Sequence, residues 1–489
     1  MATSETKPPL VAQADVPRRE TPQETAVRAK HPLFHRMSAG AQRLLLRKYH
    51  PVAPVTRRAG VFEKPRAVPA TPHAPGIANI RVNSPTEDVG AGGRTTESEP
   101  SLAVQGNRIV VGFNDSNPSA SFSGYSTSSD GGKTFTDRGG ISGQQSGDAV
   151  LAVDRAGNFY YAMLSTDANG HSCIGVSKST DGGVTFGAPV NASTTANGPD
   201  PIFQDKEWLT VDNTGGTFNG RLYVVWTRFT QTTSQIMCAR STDGGVTWSA
   251  PLGLSAAANV QGAMPAVGPH GEVYVAWFDG NVPGIQLRRS VDGGVTFTNP
   301  VPGNHPIQTI VPIPDVMTGN IRADSFPSIA VDPSNGSVYV AYPSRSGADQ
   351  ANVFLTHSTD GGKTWSQPLR VNDDQTGTDQ WMPSVAVASN GVVGVMFYDR
   401  RRDPAHDLKI DVFLATSADG GKTVSTNRRI TTRSFPPAVN FDPAIAANYM
   451  GDYNQMVAVG TRFFMAWGDN RDKVGAHPDA NVYFAALDA

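Results

Sequence analysis

The sequence predicts an all-β repeat fold made of four-stranded antiparallel sheets. Three observations carry that expectation: a composition rich in turn formers, a turn octet that returns six times, and seven pairs of short apolar strands arranged around it. The chain has 489 residues, enough for two or three ordinary domains or one large repeat. Glycine (50) and proline (36) make up about 18% of it, against a usual share of roughly 12%. Charged residues are 17%, against roughly 25% in an average domain. That balance excludes a coiled coil, a helical bundle and an acidic disordered chain, and fits short strands joined by tight turns.

The net charge of −2 is unevenly spread. Residues 1–75 carry 13 Lys/Arg and 5 Asp/Glu, whereas the remainder carries 28 and 38. The body is therefore mildly acidic, and nucleic acid is not an expected partner. The first 75 residues hold 11 of the 36 prolines and read as a basic, flexible arm. One short helix is expected within it, near 38–48. Ser38 can cap it, and Met37, Ala41, Leu44 and Leu45 then share a face away from Arg43, Arg47 and Lys48. So short a helix needs a surface to dock on, either the body or an acidic or anionic partner. Two cysteines, Cys173 and Cys238, are too few for a disulfide framework and read as buried thiols. No apolar run reaches the roughly 18 residues of a membrane span. No secretory leader is visible either, which points to a chain that stays inside the cell or leaves by another route.

The octet Ser-x-Asp-Gly-Gly-x-Thr-aromatic appears as Ser128–Phe135, Ser179–Phe186, Ser241–Trp248, Ser290–Phe297 and Ser358–Trp365, and as Ser417–Val424, which lacks the aromatic. Asp-Gly-Gly supplies residues that accept positive φ, as a tight antiparallel turn demands. The aspartate can accept N–H groups of its own turn, and the aromatic gives the turn something to bury. One carboxylate per octet is too few ligands for a calcium loop. The octets are therefore structural corners. They are the Asp box, and with them residues 76–489 resemble the sialidase-like, BNR-repeat β-propeller superfamily. The motif specifies the fold; activity has to be argued from the site.

Two strand signals precede each octet. First strands read at 100–104, 149–153, 208–211, 265–267, 327–331, 383–387 and 455–459, and second strands at 109–113, 159–163, 222–226, 273–277, 338–342, 392–398 and 463–467. That is seven pairs, the last followed by a third strand at 481–486. Residues 77–83 (IANIRVN) look like the fourth strands that follow other octets, as at 189–191 and 369–372. They are expected to complete the last blade and close the ring, which leaves few open sheet edges. The prediction is a seven-bladed β-propeller. Six blades, the sialidase number, is the alternative.

In such a blade the start of the first strand and the end of the second share one face, and the octets lie on the other. Acids precede six of the seven first strands: Glu97 and Glu99, Asp148, Asp205 and Glu207, Asp324, Asp379, and Asp452. Gln261 stands at the remaining one. Second strands end near Asp115, Arg228, Asp279, Arg345, the run Asp399–Asp403, and Asp469–Arg471, with Trp208, Trp381 and Tyr453 close by. This is either a solvated rim of mutual ion pairs or a polar pocket. Guanidinium groups suit a carboxylate or sulfate, and crowded acids favour a general acid.

The resemblance implies an arginine triad, a Tyr–Glu nucleophile pair and an Asp acid/base. The positional candidates are Tyr453, Glu207 and Asp115 for catalysis. Arg228, Arg400 and Arg471 would clamp an anion, with Asp205, Asp324, Asp379, Trp381 and Asp452 as further ligand contacts. Where the family carries Arg-Ile-Pro, this chain has Ser98-Glu99-Pro100. No zinc, nucleophile-elbow or Walker pattern occurs. No cofactor is required, and calcium in the acid ring stays open. Two functions compete: a sialidase-type exo-glycosidase acting on an acidic glycan at the channel mouth, and a non-catalytic propeller that binds a glycan, a cation or a protein. A monomer is expected.

Overall fold

A computed structural model describes residues 22–31, 33–38, 41–42, 45, 77–84, 95–116, 121–143, 145–193, 203–347, 349–438, 442, 445–446, 448–475 and 477–489. Of the arm helix expected near 38–48, residues 39–40, 43–44 and 46–48 lie outside them.

Seven four-stranded antiparallel sheets follow one another along the chain. Their first strands are Glu97–Gln105, Val150–Val153, Phe203–Val211, Val260–Val267, Ser328–Val331, Gln380–Val387 and Gln455–Val459, in blades 1 to 7. Each first strand touches those of its two neighbours, and blade 7 touches blade 1, so the sheets form a closed ring with the first strands innermost. Ile80–Arg81 supplies the fourth strand of blade 7, with Ile80 opposite Phe484 and Arg81 opposite Tyr483. The propeller has seven blades, and the N-terminal strand closes it. A two-stranded hairpin, Val316–Met317 with Ile321–Arg322, is inserted between blades 4 and 5. Among the described residues, no helix is long and apolar enough to cross a membrane.

Apolar side chains pack between blades, where sheet faces meet. The Tyr125 and Tyr161 rings meet Phe186 between blades 1 and 2, and Phe135 meets Phe484 between blades 1 and 7, with centroids 5.2 Å apart. Phe135 and Phe186 are octet aromatics, so each of these corners pins its blade to the preceding one.

The octets repeat one geometry six times. The serine hydroxyl donates to Asp Oδ1 at 2.7–2.8 Å and accepts the second glycine's N–H at 2.9 Å. The threonine hydroxyl donates to Asp Oδ2 at 2.5–2.6 Å, and its backbone N–H to Oδ1. Gly132 shows why the motif needs glycine. Its φ is 85°, and a Cβ there would lie 2.3 Å from the Phe484 ring. Cys173 and Cys238 are free and buried, and burial pushes both thiols up to about 12.

Candidate functional site

The face opposite the octets carries the candidate site, and a strand irregularity shapes it. In blades 1, 3, 4 and 6 the pairing of first and second strands slips, between Ser98 and Ser101, Asp205 and Trp208, Gln261 and Met264, and Trp381 and Ser384. The residue lodged in each slip has a positive φ: Glu99 53°, Lys206 53°, Gly262 72° and Met382 51°; Asp148 of blade 2 matches them at 57°. Such bulges re-aim side chains, and left-handed non-glycine backbone costs on the order of 1–3 kcal/mol per residue. Here they aim the side chains at the channel neck. Lys206, Phe326, Met382 and Tyr453 surround a cavity of about 30 Å³, with Trp208, Asp324 and Asp452 beside them. That is space for about one water molecule.

The acids read from the sequence as preceding the strands are in part inside them. Glu97 and Glu99 lie within the first strand of blade 1, and Asp205 and Glu207 within that of blade 3. The bulge lets the strand continue past them, so they are buried. Glu99, Asp148, Asp205 and Glu207 are fully inaccessible and Asp452 nearly so. Glu99 is well held: Oε1 accepts the Asp452 N–H at 2.8 Å and Oε2 accepts the Asn114 amide at 2.7 Å. Asp148 and Glu207 are not, since neither carboxylate has a hydrogen-bond partner. Burial, with neighbouring acids adding to it, pushes both well above the usual carboxylate range. Burial also lifts Asp452 to about 8, although Arg322 opposes the rise.

Two cations answer these acids. Lys206 Nζ has no hydrogen-bond partner and sits 3.6 Å from the Tyr453 ring centroid and 5.4 Å from that of Phe326. Arg322, from the inserted hairpin, reaches Asp452 at 2.5 Å and Asp324 at 3.6 Å. Sequence reasoning missed Arg322. Its signal was an arginine two residues before Asp324, outside any repeat.

Tyr453, Glu207, Asp205, Asp324 and Asp452 are thus brought together around the neck. Tyr453 donates its hydroxyl to the Ala149 carbonyl at 3.0 Å and packs edge-on against Trp208. Burial, then the nearby acids, keep it well above the usual phenol range. Asp205 accepts both the N–H and the hydroxyl of Ser38, at 2.9 and 2.6 Å.

The remaining candidates serve their own blades. Arg400 lies over the Trp381 ring, 3.5 Å from both Asp379 and Asp407, and donates to the Thr318 carbonyl. Asp379 is raised to about 7, by burial and then by Asp407. Arg471 grips Asp469 and the Asn79 side chain over the Tyr483 ring. Arg228 is part-buried on the second strand of blade 3, opposite Gln204 and Gln235. Asp115 ends the second strand of blade 1, opposite Glu97. No group of three acidic, histidine or cysteine side chains among the described residues is arranged to hold a metal ion.

Above the neck a pocket of about 470 Å³ opens. The arm contributes Arg28, His35, Arg36 and Gln42 to it, and the propeller Phe278, Asp315, Arg322 and Asp324. Asp324 borders both this pocket and the neck cavity. Burial raises its carboxyl, Arg322 opposes that, and Asp315 adds to it. Oδ2 has no hydrogen-bond partner.

No family model and no curated protein matches the chain. Solved structures do. An ulvan lyase described as a new family of polysaccharide lyase aligns over 80% of this chain and 94% of its own, at 11% identity and a TM-score of 0.50. A Hadza microbial sialidase aligns over 70% of this chain at 16% identity and a TM-score of 0.43. This chain spans 65% of that sialidase's length. A protein of unknown function from Dyadobacter fermentans aligns over 85% of this chain and all of its own, at 14% identity and a TM-score of 0.45. By fold, the chain is a seven-bladed β-propeller.

Proposed function

We propose that the chain is a carbohydrate-active propeller that takes an acidic sugar in the mouth pocket and hydrolyses its glycosidic bond from a chain end. The observation that carries this reading is the 470 Å³ pocket in which Arg36 and Arg322 face a carboxyl group held up by burial, that of Asp324. The volume suits one or two sugar rings. Guanidinium groups match a sugar carboxylate, and the Phe278 ring offers an apolar face. Asp324, whose carboxyl burial holds above the usual carboxylate range, would give its proton to the glycosidic oxygen as the C–O bond breaks, and would take a proton back from the water that adds to the anomeric carbon.

Tyr453 and Glu207 are not among the residues that line this pocket. For Tyr453 to act as nucleophile, its hydroxyl has to leave the Ala149 carbonyl. That bond favours the second reading, a propeller that binds the same acidic glycan without turning it over.

One variant separates the two. The wild-type chain is assayed on sialic- and uronic-acid glycosides from pH 4 to 8, beside Asp324→Asn. An enzyme releases sugar, and the variant loses at least about 100-fold in kcat while still binding. A binding propeller releases none yet binds N-acetylneuraminate. Absence of both release and binding sinks the proposal.

A further inference from the structure

The described residues of the arm between Val27 and Leu45 lie against the face of the ring opposite the octets. Its grip is built from three elements. Asp205 of blade 3, fully buried, holds Ser38 by two hydrogen bonds. Gln261 of blade 4 donates its side-chain amide to the Arg36 carbonyl at 2.8 Å, and Arg322 donates to the Met37 carbonyl. Ser38 is thereby fixed, and it in turn caps the turn that follows: its hydroxyl accepts the Ala41 N–H and its carbonyl the Gln42 N–H. Val27, Phe34, Met37, Ala41 and Leu45 are all buried, in the same apolar cluster as Phe203, Trp208, Val260 and Tyr453. An adventitious surface contact would not combine a buried two-pronged carboxylate, two clasped carbonyls and five buried apolar side chains.

We infer that this docked segment is a working wall of the mouth pocket and the stopper of the channel, so that it sets which ligands enter. The ligand part of this inference rests on the function proposed above. Arg28, His35, Arg36 and Gln42 are one side of the pocket, and Asp324 is shared between pocket and neck. Undocking therefore removes the arm's cations from the ligand and leaves the neck open to solvent. While docked, the segment blocks a polymer from running across the mouth and admits only an end.

The test uses the full-length chain with Ser38→Asp, which sets a carboxylate against that of Asp205, and independently with Met37→Asp, which puts a charge in the apolar contact. Both changes lie in the arm and leave the ring's own contacts in place. Trypsin cleavage after Arg36 reads docking, since Gln261 and the buried Met37 shield that bond. Acetylation of Lys206 by acetic anhydride, located by peptide mass mapping, reads the stopper, because Lys206 borders the neck cavity and does not line the open pocket at the far ends of the first strands. Titration with N-acetylneuraminate reads the wall. The expected result is cleavage at least about tenfold faster in both variants, new acetylation of Lys206, and binding weakened at least about tenfold.

Unchanged cleavage in both variants overturns the inference, as does faster cleavage with unchanged binding and acetylation. If even the wild-type chain binds no N-acetylneuraminate, the proposed ligand falls. The stopper is then decided by acetylation alone: supported if the reagent reaches Lys206 only in the variants, overturned if it reaches it equally in all three proteins.

Discussion

Asp181 and Asp452 are the same residue type on opposite faces of one ring, and they titrate in opposite directions. Asp181, in an octet, accepts two hydroxyl groups and two backbone N–H groups, and these hold it down at about 2. Asp243 and Asp360 do the same, also at about 2. Asp452, in the neck, has Oδ1 without a hydrogen-bond partner and is lifted to about 8 by burial against the pull of Arg322. The difference is not one of fold, since both residues lie in connections of the same blade architecture. It is one of donor supply. Short Ser, Gly and Thr groups surround the octet acid, whereas bulged strands crowd acids beside acids in the neck.

The comparison breaks most sharply at Arg322. Arg322→Met leaves Asp452 buried and without its cation, and should cost about 3–5 kcal/mol, read by chemical denaturation at pH 8. A loss under about 1 kcal/mol would mean that Asp452 is already neutral there and needs no partner.

The pH dependence comes next. On the face opposite the octets the folded chain binds more protons than the unfolded one, because Asp452 in the neck (about 8) and Asp379 beside Arg400 (about 7) stand above the unfolded value near 4. Their contribution is therefore full at pH 4 and is lost as the pH rises to 8. Thermal stability should fall between pH 5 and pH 8. Glu207→Gln should flatten that fall and raise the melting temperature at pH 8, because it removes a carboxyl that burial holds well above the usual range. A melting temperature that rises with pH over this window would contradict the assignment. The octets run the other way: their contribution is present above about pH 4 and is lost only as the pH drops towards 2.

The smallest effect is expected on the octet face. Ser179→Ala removes the donor to Asp181 and strands the Gly183 N–H, at a cost of about 1 kcal/mol. The urea midpoint should shift with no change in its slope, and sugar binding should stay as in the wild type.

Repetition made the ring readable from sequence. The octets mark a corner in six blades, and the strand pairs show a seventh that lacks one. Residues 77–83 betrayed their place because they resemble fourth strands found elsewhere in the chain. The site was less readable, because it depends on what is not repeated. Arg322 comes from a hairpin that no other blade has, and Asp205 is capped by a segment 167 residues away. Acids such as Glu99 and Glu207 were visible as charges near strand starts. Nothing in their local pattern announced the bulges that pull them inward, since a slip of pairing leaves no mark on alternation. Arg400 and Arg471 look like free anion ligands in a linear text, yet each meets an acid of its own blade.

The join between the two ends of the ring has a consequence for biosynthesis. Val82 donates to the Val482 carbonyl, 400 residues on, and Asn83 bridges Asn481 and Glu97. During translation the seventh sheet cannot be completed until residues near 483 have left the ribosome. Until then Ile80–Arg81, the outermost strand of that sheet, has no partner, and the growing arc exposes an unpaired side at each end. Closure is thus a late, all-or-none event, and a nascent chain halted before the last hairpin should depend on holdase protection in proportion to the time it waits.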